Sequence, residues 1–112
     1  MQRAHAAPNS FQAGVGSAVT HYLKAVQAAG GTKAGAVMAR MRELPVRDFM
    51  TRDGQVREDG RVVRDIHVLQ AKNPAESSGE WDVASIVATL PGPEVFRPLS
   101  QSACPLVTTA RR

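Results

Sequence analysis

The sequence predicts an α/β chain: two amphipathic helices, then two or three strands and a proline-rich tail. Three observations carry that fold class. Apolar residues recur with a helical period over 11–29 and again over 34–44. Gly30-Gly31 and Pro45 punctuate those two stretches. Beyond Val46 the pattern changes to β-branched runs separated by the Asp-Gly pairs Asp53-Gly54 and Asp59-Gly60.

Residues 1–10 read as a loose arm. Asn9 or Ser10 can cap the first helix, with Phe11 at its entrance. Val15, Val19, Tyr22 and Val26 fall at i, i+4, i+7 and i+11 and form one apolar stripe, widened by Leu23. Thr32 is placed to cap the second helix, whose stripe is Ala34, Val37, Met38, Met41 and Leu44. Met38 and Met41 therefore read as core filling.

A short extended piece is expected between the two Asp-Gly turns, then a β-rich run over 61–72. Ile66, Val68 and Leu69 crowd that run, which predicts a centre covered on both faces. Residues 73–80, "NPAESSGE", read as a surface loop, and 81–90 as a further strand. Four prolines punctuate 91–107, a stretch expected to wrap over a neighbour with one helical turn near Glu94. Residues 108–112 read as a frayed tail.

At 112 residues the chain suits one small domain. Two lobes of ordinary size would need about 100 residues each. Aromatic residues make up only 4%, thin for a self-sufficient core. No apolar run approaches the length of a membrane span, and "MQRAHAAPNSF" shows no signal-peptide h-region. The formal charge of +4 raises a nucleic-acid reading. Between Arg42 and Asp65, however, six arginines meet six acids, and no basic run is interleaved with aromatics. No nucleic-acid partner is expected. The alternative kept open is an autonomous small basic module for nucleic acid or an acidic partner, using Lys24, Lys33, Arg40 and Arg42.

Chemistry finds little support. In "GVGSAV" the third position of a dinucleotide fingerprint is Val19 rather than glycine, no strand precedes it, and the first acid in the chain is Glu43. Ser17 lacks the flanking glycines of a nucleophile elbow. His5, His21 and His67 lack metal-ligand spacing, and the single Cys104 adds no partner motif. Asp65 and His67 would share one side of a strand, where a surface ion pair explains them better than catalysis. Glu58 and Asp59 read as solvent-exposed turn formers. No catalytic residue, metal or cofactor is expected.

Taken in order, "QAGVGSAVTHYLKAV", "MRELPVRDFMTRDGQVREDGRVVRDIHVLQAK", "WDVASIVATLPGPEVFRPL" and "CPLV" resemble the C-terminal part of ABC-transporter substrate-binding proteins of the branched-chain amino-acid-binding (Leu/Ile/Val) type. The resemblance covers residues 11–107. It implies part of a type I periplasmic binding-protein fold, in which two lobes close on a solute and pass it to a membrane permease without catalysis. The matching chain would be about the last third of a full member. Residues 11–72 would lie mainly in one lobe, and 81–107 would run through the hinge.

The resemblance also places Phe11, Gln12 and Ala13 at the cleft as ligand-binding candidates. A hydrophobic staple at the helix entrance is the simpler reading of Phe11. Where the family usually carries tyrosine, in "GVYSA", this chain has Gly16. "WDVAS" likewise lacks the paired aromatics common after "WD". Both departures predict weakened packing.

Overall fold

The computed structural model describes residues 6–105 and 107; the predicted frayed tail and His5 lie outside them. Helix α1 spans Ser10–Ala29. Asn9 is its cap: the Asn9 side chain accepts from the Gln12 N–H at 2.9 Å, and Gln12 Oε1 accepts from the Asn9 N–H at 3.0 Å. At the other end Gly30 adopts φ 66°, the left-handed stop expected of the Gly-Gly corner. Helix α2 spans Ala34–Glu43. Its cap position is Lys33, with no side-chain capping bond, so Thr32 does not cap it. Pro45 follows the last turn as expected.

The two helices pack on each other, and their buried residues are Ser17, His21 and Ala25 on α1 and Val37 on α2. The spacing of four residues brings the α1 set to one face, and Ala25, fully buried, adds little bulk there. His21 Nε2 donates to the Met41 carbonyl at 2.9 Å, tying the two helices together. The apolar stripe read from the sequence points away from this contact: Val15, Val19, Tyr22 and Leu23 are all exposed.

The connection after α2 is built on Asp48. Its Oδ1 accepts from the N–H groups of Met50 and Thr51 at 2.9 and 3.0 Å, and its Oδ2 accepts from the Ser17 hydroxyl on α1. This closes a turn at 48–51 that the Asp53-Gly54 pair had been expected to supply. Gly54 instead exchanges two backbone hydrogen bonds with Val46. A Cβ on Gly54 would lie 2.7 Å from Thr51 Cγ2, so close approach, rather than a positive φ, calls for glycine there.

Two separate antiparallel ribbons follow, four strands among the described residues where two or three were expected. Strands β1 (Gln55–Val56) and β2 (Val62–Val63) form the first, turned by Asp59-Gly60 with Gly60 at φ 79°. Asp59 is not the exposed turn former expected. Arg57 grips it through Nε at 3.1 Å and Nη2 at 2.5 Å, and its side chain is only 9% exposed. Hydrogen bonding from Arg57 holds the Asp59 carboxyl below its usual pKa, with the Arg61 N–H and charge adding to it against burial.

Strands β3 (Ile66–Ala71) and β4 (Ala84–Leu90) form the second ribbon, with a bulge that leaves Val87 unpaired between Ile86 and Ala88. This ribbon is not covered on both faces as expected. Val68, Leu69, Ile86 and Val87 are exposed by 40–61%. The loop 73–80 lies at the surface as predicted, and Asp82 fastens its end by accepting from Lys72 Nζ at 2.5 Å and from the Ser78 N–H and hydroxyl. These bonds, led by the one from Lys72, hold the Asp82 carboxyl well below the usual carboxylate range.

After β4 the chain turns back onto the first ribbon. Helix α3 (Gly92–Val95) supplies the expected turn near Glu94, and Asp65 Oδ1 accepts from the Gly92 N–H at 3.1 Å. Arg61 lies over the Phe96 ring at 5.6 Å, and Arg57 Nη1 donates to the Arg97 carbonyl at 2.9 Å. The expectation that 91–107 wraps over a neighbour is met by these contacts and by the burial of Val107.

Burial is scant throughout. Among the described residues the buried apolar set is Ala25, Val37, Val46, Val56 and Val107, with no large side chain fully enclosed. The accessible surface is 8712 Å², where a compact monomer of this mass exposes about 6,000 Å². The radius of gyration of 17.4 Å likewise exceeds the value of about 13 Å for a compact chain of this length.

Glycine replacements should report these contacts in opposite directions. A Cβ at Gly92 would sit 2.8 Å from the Arg64 carbonyl oxygen, whereas one at Gly14 meets nothing within 4 Å. Gly92→Ala is expected to lower stability by about 1–3 kcal/mol, and Gly14→Ala to raise it by about 0.5–1 kcal/mol. Urea unfolding followed by circular dichroism measures both; equal effects would contradict the packing described.

Asp48 supplies a pH test. Partial burial acts to raise its pKa, but the hydrogen bonds from Ser17, Met50 and Thr51, with the Lys24 charge, outweigh that and lower it below 3.8. Its contribution to stability is therefore present above the unfolded value and lost as pH falls through the folded one. Asp48→Asn should cost about 1 kcal/mol at neutral pH, and the gap to wild type should close below about pH 4. A gap independent of pH would show that the charge on Asp48 is not what matters.

Candidate functional site

Phe11, Gln12 and Ala13 occupy the first turn of α1, the turn fixed by the Asn9–Gln12 capping box. The same box uses the Gln12 side chain, which is thereby held at the helix end. Ala13 is half-buried, and its N–H donates to the Asn9 carbonyl at 3.0 Å. Phe11 is 84% exposed, so it staples nothing. It is an apolar ring on a rigid turn with its face open, a geometry suited to packing on an apolar side chain.

A second exposed aromatic lies beside the same helix. Phe49, 70% exposed, stands on the 48–51 turn with its ring 3.7 Å from where a Gly16 Cβ would be. A Cβ at position 16 would therefore make ordinary contact with the Phe49 ring, so the space beside the second glycine of "GVGSAV" does not itself require glycine. The Ser17–Asp48 bond fixes that turn to the helix, and Lys24 Nζ donates to the Arg47 carbonyl at 3.0 Å beside it. The signal for this arrangement was present in "RDFMT", since an aspartate two and three residues before free N–H groups forms such turns.

Between the helices and the first ribbon lies an open hollow of about 500 Å³. Ala18, Met38, Met41, Val56, Ile66 and Phe96 give it a mainly apolar wall, and His21 and Arg64 are its basic members. Ser17, His21 and Asp48 are the residue types of a hydrolytic triad, but they are not connected as one. Asp48 accepts from Ser17 and from its own turn, while His21 Nε2 is bound to the Met41 carbonyl. A triad needs the histidine between the acid and the hydroxyl.

Asp65 and His67 do not form the surface pair expected of them. Asp65 accepts from Gly92 and His67 Nδ1 bonds Thr89 Oγ1 at 2.9 Å, because Asp65 precedes the strand instead of lying in it. Among the described residues no group of three or more His, Cys, Asp or Glu side chains is arranged to hold a metal ion. The cations of the basic-module reading are largely engaged within the chain. Arg40 pairs with Glu43 at 2.5 Å, Arg42 donates to the Glu58 carbonyl at 3.3 Å, and Lys24 is held by Arg47. No described helix is long and apolar enough to cross a membrane.

A family described as periplasmic binding protein matches residues 1–80. A crystal structure of a periplasmic binding protein from Burkholderia mallei is 39% identical over 94% of this chain, with a TM-score of 0.85. One from Burkholderia xenovorans, described as a branched chain amino acid ABC transporter periplasmic ligand-binding protein, is 38% identical over 95%, with a TM-score of 0.88. The chain spans 28% of the length of each. No curated protein matches it. The two helices, the ribbons and the returning tail thus follow the architecture of solved binding proteins along nearly the whole chain, and the chain belongs to the periplasmic binding protein family.

Proposed function

We propose that this chain forms part of the substrate-binding component of an ABC importer, which takes a branched-chain amino acid or a similar small solute in the periplasm and delivers it to a membrane permease. The work is binding by closure of two lobes, with no bond made or broken. One observation carries the reading: 38% identity over 95% of the chain, at a TM-score of 0.88, to a protein described as serving that transport.

Within that reading residues 11–107 act as one portion of the receptor. The turn bearing Phe11, Gln12 and Ala13 faces the solute, and the stretch 81–107 runs through the hinge. The capping box supports the first assignment, because it presents Phe11 without tying down its ring. An aromatic ring discriminates by apolar contact, so aliphatic or aromatic side chains are the solutes it favours. Phe11 touches nothing that its removal would collapse, which makes it suitable for a binding test.

Residues 11–107 placed in the matching segment of the Burkholderia xenovorans protein should give a folded chimera that binds leucine, isoleucine or valine in calorimetric titration. Phe11→Ala in that chimera should weaken binding about tenfold, equivalent to about 1.4 kcal/mol. A folded chimera that binds none of the three would overturn the amino-acid reading. Unchanged affinity in Phe11→Ala would remove Phe11 from the site and leave the rest standing.

A further inference from the structure

Of the aspartates in the chain, only Asp53 and Asp59 are followed by glycine, which lacks the Cβ that would keep its nitrogen away from the preceding carboxyl. In such a pair the backbone nitrogen can attack the side-chain carboxyl carbon. The two glycine nitrogens are held alike. Gly54 N–H donates to the Val46 carbonyl and Gly60 N–H to the Arg57 carbonyl, both at 3.0 Å. The two carboxyls differ. The Asp59 side chain is 9% exposed and both of its oxygens are engaged: Oδ1 accepts from Arg57 Nε at 3.1 Å and the Arg61 N–H at 3.3 Å, and Oδ2 from Arg57 Nη2 at 2.5 Å. The Asp53 side chain is 72% exposed. Among the described residues its partner is Arg47, itself 67% exposed, which donates to Oδ1 alone at 3.2 and 3.3 Å. Exposed pairs of this kind hold weakly.

We infer that Asp53-Gly54 is a site of spontaneous isomerisation to isoaspartate, and that the Arg57 clamp protects Asp59-Gly60 from the same reaction. The Gly54 nitrogen forms a bond to Asp53 Cγ, and its proton leaves with the carboxyl hydroxyl as water, closing a five-membered succinimide. Water then adds across one of the two imide C–N bonds. Cleavage of the new bond restores aspartate. Cleavage of the original peptide bond leaves the chain running through Asp53 Cβ and Cγ, one backbone atom longer and unchanged in mass. Ring closure goes through the neutral carboxyl, since a carboxylate has no hydroxyl to expel. Hydrogen bonding from Arg57 favours the ionised form of Asp59, so the clamp opposes the reaction by chemistry as well as by geometry. Ring closure at Asp53 also needs the Gly54 hydrogen bond to break. That bond belongs to an isolated Val46–Gly54 bridge outside the strands, the kind of contact that opens locally. The added backbone atom would take Gly54 out of register with Val46 and loosen the loop that contains the Asp48 turn.

Incubation of the chain at neutral pH tests this, followed by cleavage with an aspartate-directed endoproteinase that spares isoaspartate and by chromatography with mass detection. Isoaspartate should accumulate at 53 at least about tenfold faster than at 59, a difference in barrier of about 1.4 kcal/mol. A peptide of residues 50–64, which lacks the fold, should convert both sites at similar rates, so that the ratio in the chain reports the structure. Arg57→Gln should speed conversion at 59 and leave 53 unchanged. The comparison with the peptide stands even where Arg57→Gln unfolds. Conversion at 59 as fast as at 53 in the folded chain would overturn the inference. So would the same ratio in the peptide as in the chain, or an Asp53 that stays intact in the chain while it converts in the peptide.

Discussion

The carboxylate of Asp48 holds the two halves of this chain together. One oxygen closes the 48–51 turn on the Met50 and Thr51 N–H groups, and the other takes the Ser17 hydroxyl from α1. Without it the helical pair would meet the strand region mainly through α2 and the short connection after it. The wall of the hollow depends on the same bond, since Ser17 and Thr51 both line it. So does the stance of Phe49 over Gly16. A charge-assisted hydrogen bond is directional, so it can set an angle between elements that a thin apolar contact would leave loose.

The rest of the molecule repeats this economy. His21 joins α1 to α2, Arg57 joins the first turn to Arg97, Asp65 joins the start of β3 to α3, and Lys72 with Ser78 holds Asp82. Each contact fixes a position while burying little surface. Burial, not hydrogen bonding, is what usually dominates stability. A chain whose buried apolar residues, among those described, are Val46, Val56 and Val107 with Ala25 and Val37 on the first two helices is specified in shape more strongly than it is stabilised.

Much of this was legible in sequence where local physics decides. Gly30-Gly31, Pro45, Asp59-Gly60 and the turn near Glu94 act through backbone geometry, which neighbours hardly alter. The helices followed from period and punctuation. The Phe11 turn could be placed only by family resemblance, since nothing in one residue's chemistry says what faces it. The errors have a common cause. Thr32 lost the cap because the helix begins one residue later, Asp53-Gly54 lost its turn to Asp48, and Asp65 fell outside the strand that was to align it with His67. Each depended on register or on a partner far along the chain, and no short window contains that information.

The largest departure concerns burial. The crowding of Ile66, Val68 and Leu69 reads as a strand covered on both faces, and the stripe of Val15, Val19 and Tyr22 reads as a helix face against a sheet. Both readings follow from sound rules, yet both surfaces are open here. The rules report the surroundings for which a sequence is suited, whereas the structure reports what these residues supply to one another. Where the two disagree, the surface is suited to contacts that the described residues do not supply to one another. The 28% span of the solved relatives places further protein beside this segment in those molecules. The helix stripe and the ribbon are thus two ends of one requirement. The stripe asks for a sheet, and the ribbon's free edge asks for another strand.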